Sequence, residues 1–342
     1  MTTLLPLEPE EAPDVVDGDV PRRIPATPDL TDRVFGLVAR LSGVVVLAVM
    51  GFVGLFLLVQ AWPALQDAGF SFLTTQQWEP SSGNFGIAAI LFGTVAIGLL
   101  AIGIAVPFAV ATALFISEYA PARFKRTFVS LVDLMAAVPS VVYGLWGAFL
   151  LQEYAIGLAQ WLSTYLGWIP LFNMGDRDPR DPLGTLTDFK SSTFVAGIVV
   201  AMMVTPIASS IMREAFDQAP SGEREGAYAL GATKWGMIRT VVLPYGRGAI
   251  IGGTMLGLGR ALGETITVAM IISPIFEIHW HVLEKGGISV SSLIALRYGE
   301  ASAFSLSALF AAGLALFVLT MAVNFGASTI VARSRSGAGS DV

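Results

Sequence analysis

Long apolar runs alternate with short polar and basic segments along this chain, and the runs are too long for the core helices of a soluble domain. A helix that crosses a bilayer needs about 20 mostly apolar residues. Six stretches meet that requirement: Val34–Trp62, Gly86–Ser117, Thr127–Gln152, Thr193–Met212, Gly248–Ser273 and Ala303–Val331. Several carry internal Gly or Pro, among them Pro107, Pro139 and Pro206, which membrane helices tolerate where neighbours satisfy the freed backbone groups. The pattern predicts an all-α, polytopic membrane protein with six transmembrane helices.

Lys and Arg in the short loops set the expected orientation. Arg123, Lys125 and Arg126 follow the second span, and Arg213, Arg224, Lys234, Arg239 and Arg247 follow the fourth. The opposite loops are poorer in cations, so both termini and both basic loops are expected in the cytoplasm. Between the third and fourth spans, Trp161, Tyr165 and Trp168 precede the polar stretch Asp176–Asp181. Those aromatics suggest an interfacial helix on the outer leaflet, either a simple anchor or a landing surface for an extracytoplasmic partner.

Composition agrees with a membrane solvent. Of the 342 residues, 54% are hydrophobic and only 13% charged, against about 25% charged in soluble domains; the mean hydropathy is +0.69. The chain has no Cys, and the net charge of −6 comes without a basic stripe, so nucleic acid is not an expected partner. Residues 1–32 are acidic and Pro-rich and lack the basic start and apolar core of a signal peptide, so they read as a disordered cytoplasmic tail. The expected organisation is that tail, a first transmembrane helix at 33–62, a five-helix core at 86–331, and a second cytoplasmic tail at 332–342.

The basic loop after the fourth span carries a spaced pattern. Glu225-Gly226-Ala227 is followed after three residues by Gly231, and after nine more by Val241, Val242, Leu243 and Pro244. Ser221 is placed to cap a helix whose first turn holds Glu223 and Glu225. Gly226, Ala227 and Ala229 keep that helix thin; Gly231 can end it in the left-handed conformation, and Thr233 can cap the next. Pro244 suits the start of another helix, where its missing N–H costs little. A helix–turn–helix outside the bilayer results. The chain has no phosphate-binding G-x-x-x-x-G-K-[ST] loop, so ATP binding by this chain is not expected.

Charges inside the fifth span are the second signal. An Arg at the centre of a membrane helix costs about 2.5–3.5 kcal/mol even on lenient scales, and such residues face a bundle interior or a wet cavity. Arg260 and Glu264 are four apart and so are expected on one helix face, with Glu264 holding the guanidinium until an anion arrives; a static salt bridge is the alternative. The planar guanidinium suits oxyanions such as phosphate. Thr265, Ser140, Tyr143 and Thr205 are further polar candidates along the same pathway. Gly248/Gly252, Gly253/Gly257 and Gly259/Gly263 have the spacing of close helix contacts. No catalytic residue is expected, and His279 and His281, two apart with no third ligand in register, do not suggest a metal site.

The 225–244 pattern resembles the EAA loop of ABC importer permeases, with Gly226 where Ala is usual. Ile116–Pro121, Ala137–Gly144 and Gly259–Thr265 resemble segments of the C-type phosphate permease subunit, the PstC family. The resemblance covers about residues 86–331. It implies a type I importer permease core and translocation of inorganic phosphate by alternating access. The implied roles are Glu225, Ala227, Gly231, Leu243 and Pro244 for ATPase coupling, and Arg260 and Glu264 for the substrate pathway. Implied partners are a sister A-type permease forming a heterodimer, two copies of an ATP-binding subunit, a phosphate-binding protein outside, and membrane lipid, in a bacterial inner membrane. The chain itself is expected to bind no cofactor, ATP and Mg being used by the partner ATPase. The competing readings are the A-type subunit, a permease for another oxyanion such as molybdate or sulfate, and an ion-driven secondary transporter.

Overall fold

The computed structural model describes residues 30–175 and 188–335. The Asp176–Asp181 stretch and most of the two tails lie outside the described residues. Two units divide between Phe52 and Val53, within the first helix, α1 (Leu30–Ala68). The first unit contributes the start of that helix, with runs such as Val44–Leu47 that suit a lipid surround.

The second unit is built from α2 (Ala88–Leu114), α3 (Ala122–Ala137), α4 (Ser140–Trp146), α5 (Gln152–Leu166) and α6 (Thr193–Asp217). The extramembrane loop then supplies α7 (Ser221–Ala229), α8 (Lys234–Met237) and α9 (Leu243–Tyr245). Helices α10 (Arg247–Leu262), α11 (Ile266–Ile271), α12 (Val290–Arg297) and α13 (Ala303–Arg335) complete it. A two-stranded hairpin, β1 (Trp78–Glu79) with β2 (Asn84–Phe85), follows α1. Among the described residues, five helical runs are long and apolar enough to cross a membrane, and a sixth is counted if the bent pair Lys234–Tyr245 and Arg247–Leu262 is one span.

Small residues set the spacing of the central helices. Ala101, Ala105, Ala109 and Ala113 recur every fourth position of α2 and are fully buried. They pack with Val195, Val199, Val204 and Ala208 of α6 in neighbouring clusters. A Cβ on Gly197 would lie 2.5 Å from Leu100, and one on Gly257 would lie 2.6 Å from Val204 and 3.2 Å from Ile102. Of the three glycine pairs in the fifth span, Gly253/Gly257 is thus the one that packs tightly. Cβ atoms on Gly248 and Gly252 would meet nothing within 4 Å, and one on Gly259 would only reach Asn324 at 3.9 Å.

The third span departs from the sequence expectation of Thr127–Gln152. Val138 and Pro139 are both extended, so the helix stops at Ala137 and restarts at Ser140. The ring of a proline disfavours the helical conformation in the residue before it, which makes Val138 the breaking point. The run long and apolar enough to cross a membrane is Ser140–Leu166, about 40 Å long at 1.5 Å per residue. Helix α3 is a separate element, with no buried residue and polar ties to α6 from Lys125 to Asp217 at 2.8 Å and from Ser210 to Asp133 at 3.3 Å. Trp161 and Tyr165 lie in α5, in the last turns of the Ser140–Leu166 run.

One backbone joint ties α1 to α13. The Ala64 N–H donates to the Ser307 hydroxyl at 3.2 Å, and that hydroxyl donates to the Gln60 carbonyl at 2.7 Å. Gln60 and Ala64 are an i, i+4 pair, so the Ser307 oxygen is inserted between donor and acceptor beside Pro63. Prolines and inserted side chains are the usual causes of local helix distortion.

Candidate functional site

The fifth span is broken where its charges lie. Helix α10 is 16 residues long, about 24 Å, less than the hydrocarbon thickness of about 30 Å. It ends at Leu262, with Gly263 and Glu264 donating backbone bonds to Gly259 and Ala261. Helix α11 restarts at Ile266. The buried Glu264 carboxylate sits before that second helix and accepts from the Thr267 N–H at 3.2 Å and from the Thr267 hydroxyl at 2.7 Å. A carboxylate over a helix N-terminus satisfies free amides and complements the dipole. The Thr267 hydroxyl also lies 3.1 Å from the Ser140 carbonyl, and Ser291 donates to the Glu264 carbonyl at 2.7 Å. Glu264 and Thr267 together thus join α4, α11 and α12.

This geometry corrects the expected Arg260–Glu264 partnership. The helical repeat ends before position 264, so the four-residue spacing does not stack the two side chains, and no carboxylate lies in ion-pair range of Arg260 among the described residues. Arg260 occupies the last turn of α10, where a cation favours the helix dipole. Its side chain is exposed. The Tyr143 hydroxyl donates to the Met135 carbonyl at 2.9 Å, strapping the two sides of the Pro139 break. Thr205 donates to Ala201 of its own helix at 2.7 Å, and Thr265 to Gly263 at 3.1 Å, so these two hydroxyls serve local backbone. Sequence spacing did not reveal Thr267 or Ser291, which hold Glu264.

The extramembrane loop forms the expected helix–turn–helix. Gly231 has φ 84° and ends the turn after α7, and Thr233 caps α8 by accepting from Gly236 N–H at 3.1 Å. Pro244 lies in the first turn of α9. Pro220, not Ser221, occupies the position before α7, and no side chain caps that helix. Glu225 and Tyr228 are exposed and Leu230 is 91% exposed, while Ala227 is half-buried and Gly226 has open space around it. Met237, Ile238 and Val242 sink into a core with Ala109, Ala113, Met212 and Phe216, seating the loop on the ends of α2 and α6. Helix α8–α9 meets α10 at 65°, so the loop leads directly into the segment that carries Arg260.

Residues 105–336 match the profile of the binding-protein-dependent transport system inner membrane component. The chain belongs to that family. It is 40% identical over 310 residues to "Phosphate transport system permease protein PstC 2" of Mycobacterium tuberculosis, covering 90% of this chain and 93% of the relative. It is 32% identical over 292 residues to "Phosphate transport system permease protein PstC" of Haemophilus influenzae, covering 85% and 90%. A solved bacterial ABC transporter involved in alginate import shares the fold at 18% identity and TM-score 0.53, covering 88% of this chain and 99% of that one. The MetNI methionine ABC transporter does so at 13% identity and TM-score 0.51, covering 72% and 95%.

As a permease of this family, the chain is a multi-pass membrane protein and the non-catalytic part of a multi-subunit ABC transporter, with ATPase activity in a separate subunit. The family match spans both the loop at 225–244 and the Arg260 segment, and begins after the start of α2.

Proposed function

We propose that this chain is the C-type permease subunit of an ATP-driven importer that carries inorganic phosphate across a bacterial inner membrane. The observation that carries this reading is the alignment of nine-tenths of the chain, at 40% identity, with a relative named as a phosphate transport permease. The chemistry of Arg260 supports it. A guanidinium at membrane depth with no carboxylate partner is free to accept a tetrahedral oxyanion through paired N–H donors. Arg260 and the polar Tyr143, Ser140 and Thr265 border the pathway, and the sister A-type permease supplies its other wall and a further cation. Glu264 shapes the pathway by holding the broken helix in place.

ATP and Mg are used by two copies of a partner ATPase, and this chain binds no cofactor. Closure of the ATPase dimer pushes on α7 through Glu225, Ala227 and the open surface at Gly226, and Gly231, Leu243 and Pro244 fix the turn that passes the motion to α10. The pathway opens outward to receive phosphate from a binding protein, and hydrolysis returns it inward. Residues 1–32 and 332–342 are cytoplasmic tails, 33–62 a first transmembrane helix and 86–331 the permease core. The test is uptake into proteoliposomes by the assembled complex, with molybdate and sulfate as competitors. Phosphate should be carried only with ATP and the ATPase present; uptake driven by an ion gradient alone, or transport of molybdate in preference, would replace this reading.

A further inference from the structure

We infer that Glu118 and Arg224 form a tie that carries movement of the ATPase-facing loop into span two, so that Glu118 and Tyr119 are positioning residues for transport. The inference rests on the importer reading above and adds the route by which force leaves the loop.

Most side chains of α7 face solvent, where a partner can reach them, but Arg224 turns inward. Its Nη1 lies 2.9 Å from Oε1 of Glu118, whose side chain is only 5% exposed. Its Nε donates to the Ala219 carbonyl at 3.1 Å, and its Nη2 donates to the Phe216 carbonyl. The Phe216 carbonyl lies in the last turn of α6 and the Ala219 carbonyl just past its end, where a cation is favoured by the helix dipole. One guanidinium therefore binds the loop, the end of α6 and the end of span two together. The second arm of the loop grips the same turn: Lys234 Nζ lies 4.5 Å above the ring of Tyr119.

Glu118 and Tyr119 belong to the π-helical turn Phe115–Tyr119 that finishes span two. Such turns are sparse and recur at functional places. Span two packs along α6 and α10, and α10 carries Arg260. Displacement of either arm of the loop thus pulls on span two through a buried, charge-assisted bond and a cation–π contact. A seat serving only to hold the loop would be met by the apolar cluster around Met237 and Ile238; the buried charge adds a directional link to one turn of one span.

The test uses the complete importer in proteoliposomes, with phosphate uptake and ATP hydrolysis measured on one preparation. Glu118→Gln should lower the phosphate carried per ATP by about fivefold, with hydrolysis kept within about twofold. Arg224→Lys keeps the charge without the fork and should fall between, at about twofold. Tyr119→Phe should match the unaltered protein, while Tyr119→Leu should lose about twofold. An unchanged ratio in Glu118→Gln overturns the inference. Should that variant fail to assemble, Arg224→Lys and Tyr119→Leu decide it: a reduced ratio in both supports the tie, and an unchanged ratio in either overturns it. If the unaltered complex carries no phosphate, the substrate reading falls instead, and the ratio is read on the anion it does carry.

Discussion

Glu264 turns its carboxylate onto Thr267, at 2.7 Å from the hydroxyl, and away from Arg260. The two charges of the fifth span are thereby given separate work. The carboxylate holds a helix end, and the guanidinium stays open.

From this follows a stability prediction. Glu264→Ala removes the acceptor over the start of α11 and should cost about 1–2 kcal/mol, by analogy with lost helix caps. The melting temperature of the solubilised protein should drop by about 1.5–3 °C. Glu264→Gln keeps an acceptor oxygen and should lose less, and Thr267→Val should resemble Glu264→Ala. Wild-type stability in Glu264→Ala would mean that the carboxylate acts on the pathway and not on the helix.

Arg260 gives the opposite signature. Arg260→Gln should leave the melting temperature within about 1 °C, because no folded-state ion pair is lost, while phosphate uptake falls by about a hundredfold. Arg260→Lys should retain about a tenth of the activity, since an ammonium offers a point charge without the fork. Normal uptake by the Gln variant would remove Arg260 from the pathway.

The glycines of the fifth span should separate in the same way. Gly257→Ala drives a methyl against Val204 and Ile102 and should destabilise by about 1–3 kcal/mol. Gly252→Ala meets open space within the chain and should be neutral or stabilising by up to about 1 kcal/mol from helix propensity. Thermal unfolding of the isolated permease checks both. Equal effects would contradict the packing described here.

Gly231 tests the loop. Its φ of 84° disfavours a β-carbon by about 1–2 kcal/mol. Gly231→Ala should weaken co-purification of the ATPase by about tenfold while membrane insertion is unaffected, and Gly231→Asn should be tolerated better. Undiminished ATPase recovery in the Ala variant would show that the turn's shape does not govern docking.

The membrane architecture was legible because apolar length is a coarse and strong signal. The break at Pro139 was not, since Leu134–Ala137 and Val141–Val142 continue the apolar run across it; the charges of α3, from Arg123 to Asp133, were the available warning. Gly263 could be read as a packing residue, whereas it lies at a helix end, and that difference decides where Glu264 points. Gly231 and Thr233 were readable because turn chemistry is local. Glu118 and Arg224 lie 106 positions apart, and no spacing rule joins them.

The Ser307 hydroxyl within the Gln60–Ala64 pair makes one amide a clock. Because the Ala64 proton is held by an oxygen from a different helix, its replacement by deuterium times the parting of α1 and α13. Neighbouring amides of α1 time only the opening of their own helix.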